Sequence, residues 1–189
     1  MQSDWETGTV DDRTRSRRFE RLALPHLDAS YELARWITGN RHDAEDVVQD
    51  AFLRAFRFFE SWQGESPRAW LLAIVRNAAY RWLERNRPKH VFAVEPDALE
   101  AASERAALSG ALPSANPEDA AAAASERGRL ARLLEILPPP FREVLILREL
   151  QGLSYREIAE IAAVPEGTVM SRLARARAEL RRLWLKDQP

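Results

Sequence analysis

LPPPFREVLILRELQGLSYREIAEIAAVPEGTVMSRLARARAEL, Leu137 to Leu180, decides the fold class of this 189-residue chain. Pro138 to Pro140 close a preceding helix marked by Leu130, Leu133, Leu134 and Leu137. Phe141, Val144, Leu145 and Leu147 mark the next, which ends near Gly152. Ser154-Tyr-Arg-Glu157 then forms a capping box, in which the serine and the glutamate satisfy each other's free N–H groups. The short helix it opens carries Ile158, Ala159, Ile161 and Ala162. After a Val164–Gly167 turn, a last helix carries Val169, Leu173, Ala176, Leu180 and Leu183. Two short helices joined by a Pro/Gly turn predict a helix-turn-helix. In that arrangement the N-terminal half of the second helix enters the major groove of DNA. Thr168, Met170, Ser171, Arg172 and Arg175 occupy that half. Ser171, Ala174 and Ala178 fall opposite the apolar stripe, small enough to let backbone approach DNA, while Arg172 and Arg175 suit guanine edges or phosphates. Arg177, Arg181 and Arg182 suit backbone phosphates.

The N-terminal part also reads as helical. Leu27 to Thr38 form a helix stopped by Gly39–Asn40. From Ala44, the positions Val47, Val48, Ala51, Phe52, Ala55, Phe56 and Phe59 make a helical stripe, with Asp43 as its expected N-cap. The acidic opening of this helix, Asp43, Glu45, Asp46 and Asp50, follows from the helix dipole and also fits a face for a basic partner. Ser66 and Pro67 open the next helix, whose stripe is Leu71, Ile74, Val75, Ala78 and Trp82. Upstream lies a short polar loop, Ser61-Trp-Gln-Gly-Glu-Ser66. Trp62, Trp70, Tyr80 and Trp82 interleave with Arg68, Arg76 and Arg81, the mixture with which single-strand binders stack and hold bases. Trp82, on the stripe, is expected in the core.

Charge is segregated along the chain. Its net value of −1 sums −1 from residues 1–17, +2 from 18–92, −5 from 93–128 and +3 from 129–189. The acidic segment 93–128 has 13 alanines, three prolines and no aromatic residue, and reads as a flexible linker. Residues 1–17 read as an N-terminal tail. With no cysteine and three scattered histidines, disulfides and thiolate chemistry are excluded, and no metal site or cofactor is expected. The longest wholly apolar run, Ala69 to Val75, is too short to span a membrane, so a soluble cytoplasmic protein without membrane insertion is the expectation.

Both blocks resemble one family. TGNRHDAEDVVQDAFLRAF (Thr38–Phe56) and SWQGESPRAWLLAIVRNAAYRWL (Ser61–Leu83) resemble region 2 of the sigma-70 family, and Leu137–Leu180 resembles its region 4. The order of the two, with only a linker between, is similar to the extracytoplasmic-function, or group IV, sigma factors. The resemblance implies an all-α protein of two small helical domains: region 2 over 18–92 and region 4 over 129–186. It implies binding of the β′ clamp helices of core RNA polymerase through Asp46, Gln49, Asp50, Leu53, Arg54 and Phe56. The loop Trp62, Gln63, Gly64, Glu65 and Ser66, with Arg76, Asn77, Tyr80 and Arg81, would recognise and open the −10 element. Capture of a flipped base in such a loop must offset an unstacking cost of a few kcal/mol. Region 4 would read the −35 element through Thr168, Met170, Ser171, Arg172 and Arg175, and contact the β flap. Met170 stands where family members often carry a basic residue. No region 1.1 or region 3 is evident, and family members of this plan are held by an anti-sigma factor. The function so implied is promoter-specific transcription initiation in response to stress or another signal, with the chemistry left to the polymerase rather than to an enzyme site here. The other reading of the same helices is a sigma-like decoy or helix-turn-helix regulator that acts by protein–protein interaction without core polymerase.

Overall fold

At Gly39 the backbone turns left-handed, φ 82°, and its N–H donates to the Arg35 carbonyl, ending one helix and freeing the chain to start another. The computed structural model describes residues 5–86 and 126–187. In chain order these form α1 (Trp5–Ala23), a 3-10 turn (Leu24–His26), α2 (Leu27–Thr38), α3 (Arg41–Phe58) and α4 (Pro67–Asn86). There follow α5 (Glu126–Ile136), α6 (Pro139–Leu145), a π-helical turn (Ile146–Leu150), α7 (Tyr155–Ala162) and α8 (Glu166–Lys186). No strand occurs among the described residues, and the helices fall into two units, largely α1–α4 and α5–α8. The expected linker, 93–128, lies almost wholly outside the described residues.

Two helix starts in the first unit differ from expectation. Residue 17, the expected end of a tail, falls inside α1. Phe19 supplies the reason: it packs against the buried Ala23, Ala55 and Leu71 and meets Phe52, Phe56 and Phe59 at ring-centroid distances of 6.4, 5.3 and 5.4 Å. Each such aromatic pair contributes about 0.5–1.5 kcal/mol beyond its buried area. Arg15 fastens the same helix, with Nε 3.3 Å from Glu60, Nη2 donating to the Phe56 carbonyl at 3.2 Å, and the guanidinium 4.8 Å above the Phe56 ring. The second change is a cap. Asn40, not Asp43, is the N-cap of α3: its Oδ1 accepts the Asp43 backbone N–H at 3.0 Å, while its Nδ2 donates to the Asp43 carboxylate. Ser66 caps α4 as expected, its hydroxyl accepting from the Ala69 N–H at 3.2 Å.

In the second unit the capping box forms. The Ser154 N–H donates to Glu157 at 2.8 Å, and the Glu157 N–H donates to Ser154 Oγ at 3.3 Å. The helix from Phe141 does not stay α-helical to its end. Gln151 N–H reaches back five residues to Ile146, and Gly152 (φ 68°) closes the turn. Arg142, 4% exposed, crosses to the end of α5 and donates to the carbonyls of Leu134, Glu135 and Leu137 at 2.9, 2.5 and 2.9 Å. The Leu134 carbonyl also accepts the Leu137 N–H at 3.2 Å, carbonyls at a helix end are short of main-chain donors, and a cation at a helix C-terminus is favoured by the dipole. Phe141, Val144, Leu147, Val169, Leu173 and Ala176 are buried in the same unit.

Candidate polymerase and nucleic-acid interfaces

Along α3 the apolar residues Ala44, Val47, Val48, Ala51 and Ala55 are buried, which turns Glu45, Asp46, Gln49 and Leu53 outward. Leu53 is 56% exposed, unusual for a leucine amid charge. Asp50 and Arg54 pair with each other at 2.9 Å one helical turn apart. Phe56 is half-buried in the aromatic cluster of Phe19 and Phe59. Of the six residues expected to meet polymerase, Gln49, Leu53 and Phe56 thus line one groove. Its volume is about 300 Å³, and Ser16, Phe19, Glu20 and Phe52 complete its walls. Of the α1 residues in these walls, Ser16 falls in the expected tail of residues 1–17, while Phe19 and Glu20 lie within the expected 18–92 domain. Phe19, Leu22 and Ala23, spaced for one helix face, were the available signal for this helix.

The loop after α3 is fixed at both ends. Ser61 Oγ donates to the Phe58 carbonyl at 2.8 Å, and the Trp62 N–H donates to Phe59 at 3.3 Å. Trp62 is half-buried and stacked on Trp70, with ring centroids 5.2 Å apart and planes 25° from parallel. One face of the loop aromatic is therefore occupied within the protein. Gln63, Gly64 and Glu65 are exposed, and Ser66 is engaged as the cap. On α4, the Arg76 guanidinium lies 4.5 Å from the Tyr80 ring and Nη1 donates to Asn77 Oδ1 at 3.3 Å. Asn77 and Arg81 are exposed, Arg76 and Tyr80 half-buried. This polar face opposes Leu71, Leu72, Val75 and Leu83, all fully buried. Trp82, expected in the core, is half-buried.

In the second unit α8 displays what a reading helix needs. Val169, Leu173 and Ala176 are buried, and Met170, Ser171, Ala174, Arg175 and Ala178 are exposed. Thr168 is half-buried and its carbonyl accepts the Ser171 hydroxyl at 3.0 Å. Arg172 stands on the flank, half-buried, its Nη1 covered and without a hydrogen-bond partner among the described residues. The Met170 side chain is 54% exposed, an apolar probe on the outward face. Two arginines expected to meet phosphates are paired with carboxylates in the free chain. Arg177 pairs with Glu149 at 2.6 Å, a hydrogen bond that raises its pKa above the ordinary arginine value, and Arg182 Nε donates to Glu179 at 2.8 Å. Arg181 is exposed. Among the described residues no cluster of His, Asp and Glu is arranged to hold a metal, and no helix is long and apolar enough to cross a membrane.

Comparison with known proteins bears on both units. Residues 22–89 match the family model of sigma-70 region 2, and residues 127–180 match that of sigma-70 region 4. The chain is 33% identical over 184 residues to the ECF RNA polymerase sigma factor SigE of Mycolicibacterium smegmatis, covering 95% of this chain and 68% of that protein. It is 42% identical over 139 residues to the ECF RNA polymerase sigma-E factor of Escherichia coli K12, covering 71% and 70%. Among solved structures it resembles the sigma factor RpoE in complex with the anti-sigma factor NepR from Bartonella quintana. The TM-score is 0.65 at 26% identity, over 91% of this chain and 99% of that one. It also resembles CnrH in complex with the cytosolic domain of CnrY, with a TM-score of 0.61 at 28% identity, over 92% and 91%.

Proposed function

We propose, for a chain that belongs to the extracytoplasmic-function sigma factors of the sigma-70 family, a division of labour between its two helical units. As an RNA polymerase sigma factor it binds core polymerase and directs it to promoters. The outward face of α3, with Asp46, Gln49, Leu53 and the Asp50–Arg54 pair, docks on the β′ clamp helices. Phe56 acts from inside the groove, holding α1 and α3 at the spacing the docked surface needs. Gln63, Gly64 and Glu65 with Arg76, Asn77, Tyr80 and Arg81 recognise the −10 element and hold it open. The second unit reads the −35 element and contacts the β flap.

The observation that carries the reading is the two-sided α8. Its buried stripe seats the helix, and its outward side offers Ser171, Ala174 and Ala178 for close approach and Arg175 for base edges. Thr168 and Arg172 flank that side, and Met170 makes apolar contact, which suits a thymine methyl. The RpoE structure holds the anti-sigma factor NepR, and the CnrH structure holds the cytosolic domain of CnrY, which supports control by a bound partner here and signal-dependent release in the cytoplasm. The chain supplies binding and positioning, and polymerase carries the chemistry. Mapping transcription start sites after overproduction tests the assignment. Aligned upstream sequences should show two shared elements at −35 and −10, and start sites that do not move with the protein would refute it.

A further inference from the structure

We infer that Trp62 is a positioning residue for the −10 loop and that Gly64 is required because the Trp62 indole occupies the place of its side chain. The inference rests on the loop's assignment to the −10 element. Glycine in a short loop ordinarily supplies positive φ. Gly64 does not: among the described residues only Gly39, Gly152 and Ala163 lie in that region. Its need is spatial. A Cβ built on Gly64 would stand 2.5 Å from Trp62 Nε1, 3.0 Å from Cε2 and 3.2 Å from Cζ2. The indole cannot swing aside at no cost, because it is stacked on Trp70 of α4, 5.2 Å between centroids. Trp70 in turn packs against the buried Ala23, Ala55 and Leu71. The core therefore sets Trp70, Trp70 sets Trp62, and Trp62 sets the height of the backbone at Gly64. The Ser61 and Ser66 hydrogen bonds hold the loop ends at the same time. What this scaffold presents outward is Gln63, the Gly64 backbone and Glu65. Selectivity for the captured base then lies with Gln63 and Glu65, while the tryptophan pair presets the loop.

The test uses holoenzyme, core polymerase with the full chain, on a promoter from start-site mapping. The −10 element carries 2-aminopurine, whose fluorescence rises on unstacking. Gly64→Ala and Trp62→Ala should each reduce opening about two- to tenfold, the range that the loss of one aromatic pair gives. The double variant should be no worse than Trp62→Ala, because removing the indole removes the clash, and Trp62→Phe should recover most of the opening. Near-UV circular dichroism of the free chain should lose the same tryptophan-pair signal in Gly64→Ala as in Trp62→Ala. Competition for core polymerase reports that the variants are folded. Additive losses in the double variant, or normal opening in Gly64→Ala while Gln63→Ala and Glu65→Ala are impaired, would overturn the positioning role alone. Normal opening in all of these variants would overturn the −10 assignment with it.

Discussion

Replacing Arg142 by methionine should unfold the second unit locally while leaving the volume of the side-chain stem in place. The guanidinium is almost wholly buried and makes three hydrogen bonds, at 2.5–2.9 Å, to the carbonyls of Leu134, Glu135 and Leu137. A hydrogen bond involving a charged group is worth about 1.5–3 kcal/mol, so three at the lower end give about 4.5 kcal/mol. Water reaching the half-buried Glu135 carbonyl returns about 1–2 kcal/mol of that, which leaves a net loss of about 3 kcal/mol. Hydrogen exchange read by mass spectrometry on the full chain resolves the units. Amides of α5 and α6 should exchange about 100-fold faster, as 3 kcal/mol of local opening requires, with α2–α4 as the internal comparison. Arg142→Lys, which keeps the charge and at least one bond, should fall between. Protection in α5 and α6 within about threefold of the original chain would refute the cross-helix cap.

Arg175→Ala should weaken discrimination among −35 sequences by about 1–3 kcal/mol in holoenzyme binding, and an unchanged preference would remove Arg175 from the reading face. Ala163, at the turn before α8, holds φ 54°, so Ala163→Gly should stabilise the second unit by about 0.5–1 kcal/mol in thermal or urea unfolding; a loss of stability would refute the strain. His26 is held below the ordinary imidazole range by burial first and by the nearby Arg68 charge second. Its lowered folded pKa means that the unfolded chain takes up the proton more readily. The stability given by the neutral ring is therefore complete above the unfolded value of about 6.5 and is lost as pH falls through the folded value. Unfolding of the first unit should show this loss on acidification and His26→Gln should flatten it, whereas an equal pH slope in the variant would show that His26 contributes nothing.

The helices and their order were legible because their determinants are local. The 3.6-residue stripes, Gly39 after α2, Ser66 before Pro67 and the Ser154–Glu157 box each act within a turn or two of their own position. Features set by long-range contact were not. Arg15 becomes part of a fold only when Phe56 and Glu60 meet it some forty residues later, so its stretch reads as a tail. Arg142 looks like any surface arginine until α6 folds back on the end of α5. Arg177 looks free for phosphates because its partner Glu149 lies 28 residues away, whereas Glu179 and Arg182 stand at the i,i+3 spacing that brings helix neighbours together. The α3 cap shows the limit of local reading as well: Asn40 and Asp43 are both good caps, and the bond from the Asp43 N–H to Asn40 decides between them. The family resemblance supplied the residues expected at the candidate sites. What the sequence could not supply was orientation, with Trp62 turned onto Trp70 and Arg172 set on the flank of α8.

Reconstituted transcription tests the central claim without intermediaries. Core RNA polymerase, purified free of other sigma factors, is mixed with this chain and a template carrying a mapped −35/−10 pair. Specific run-off transcript should appear only when the chain is present and should vanish when either element is scrambled. Transcript of equal amount without the chain, or insensitive to both elements, would contradict its role as a sigma factor.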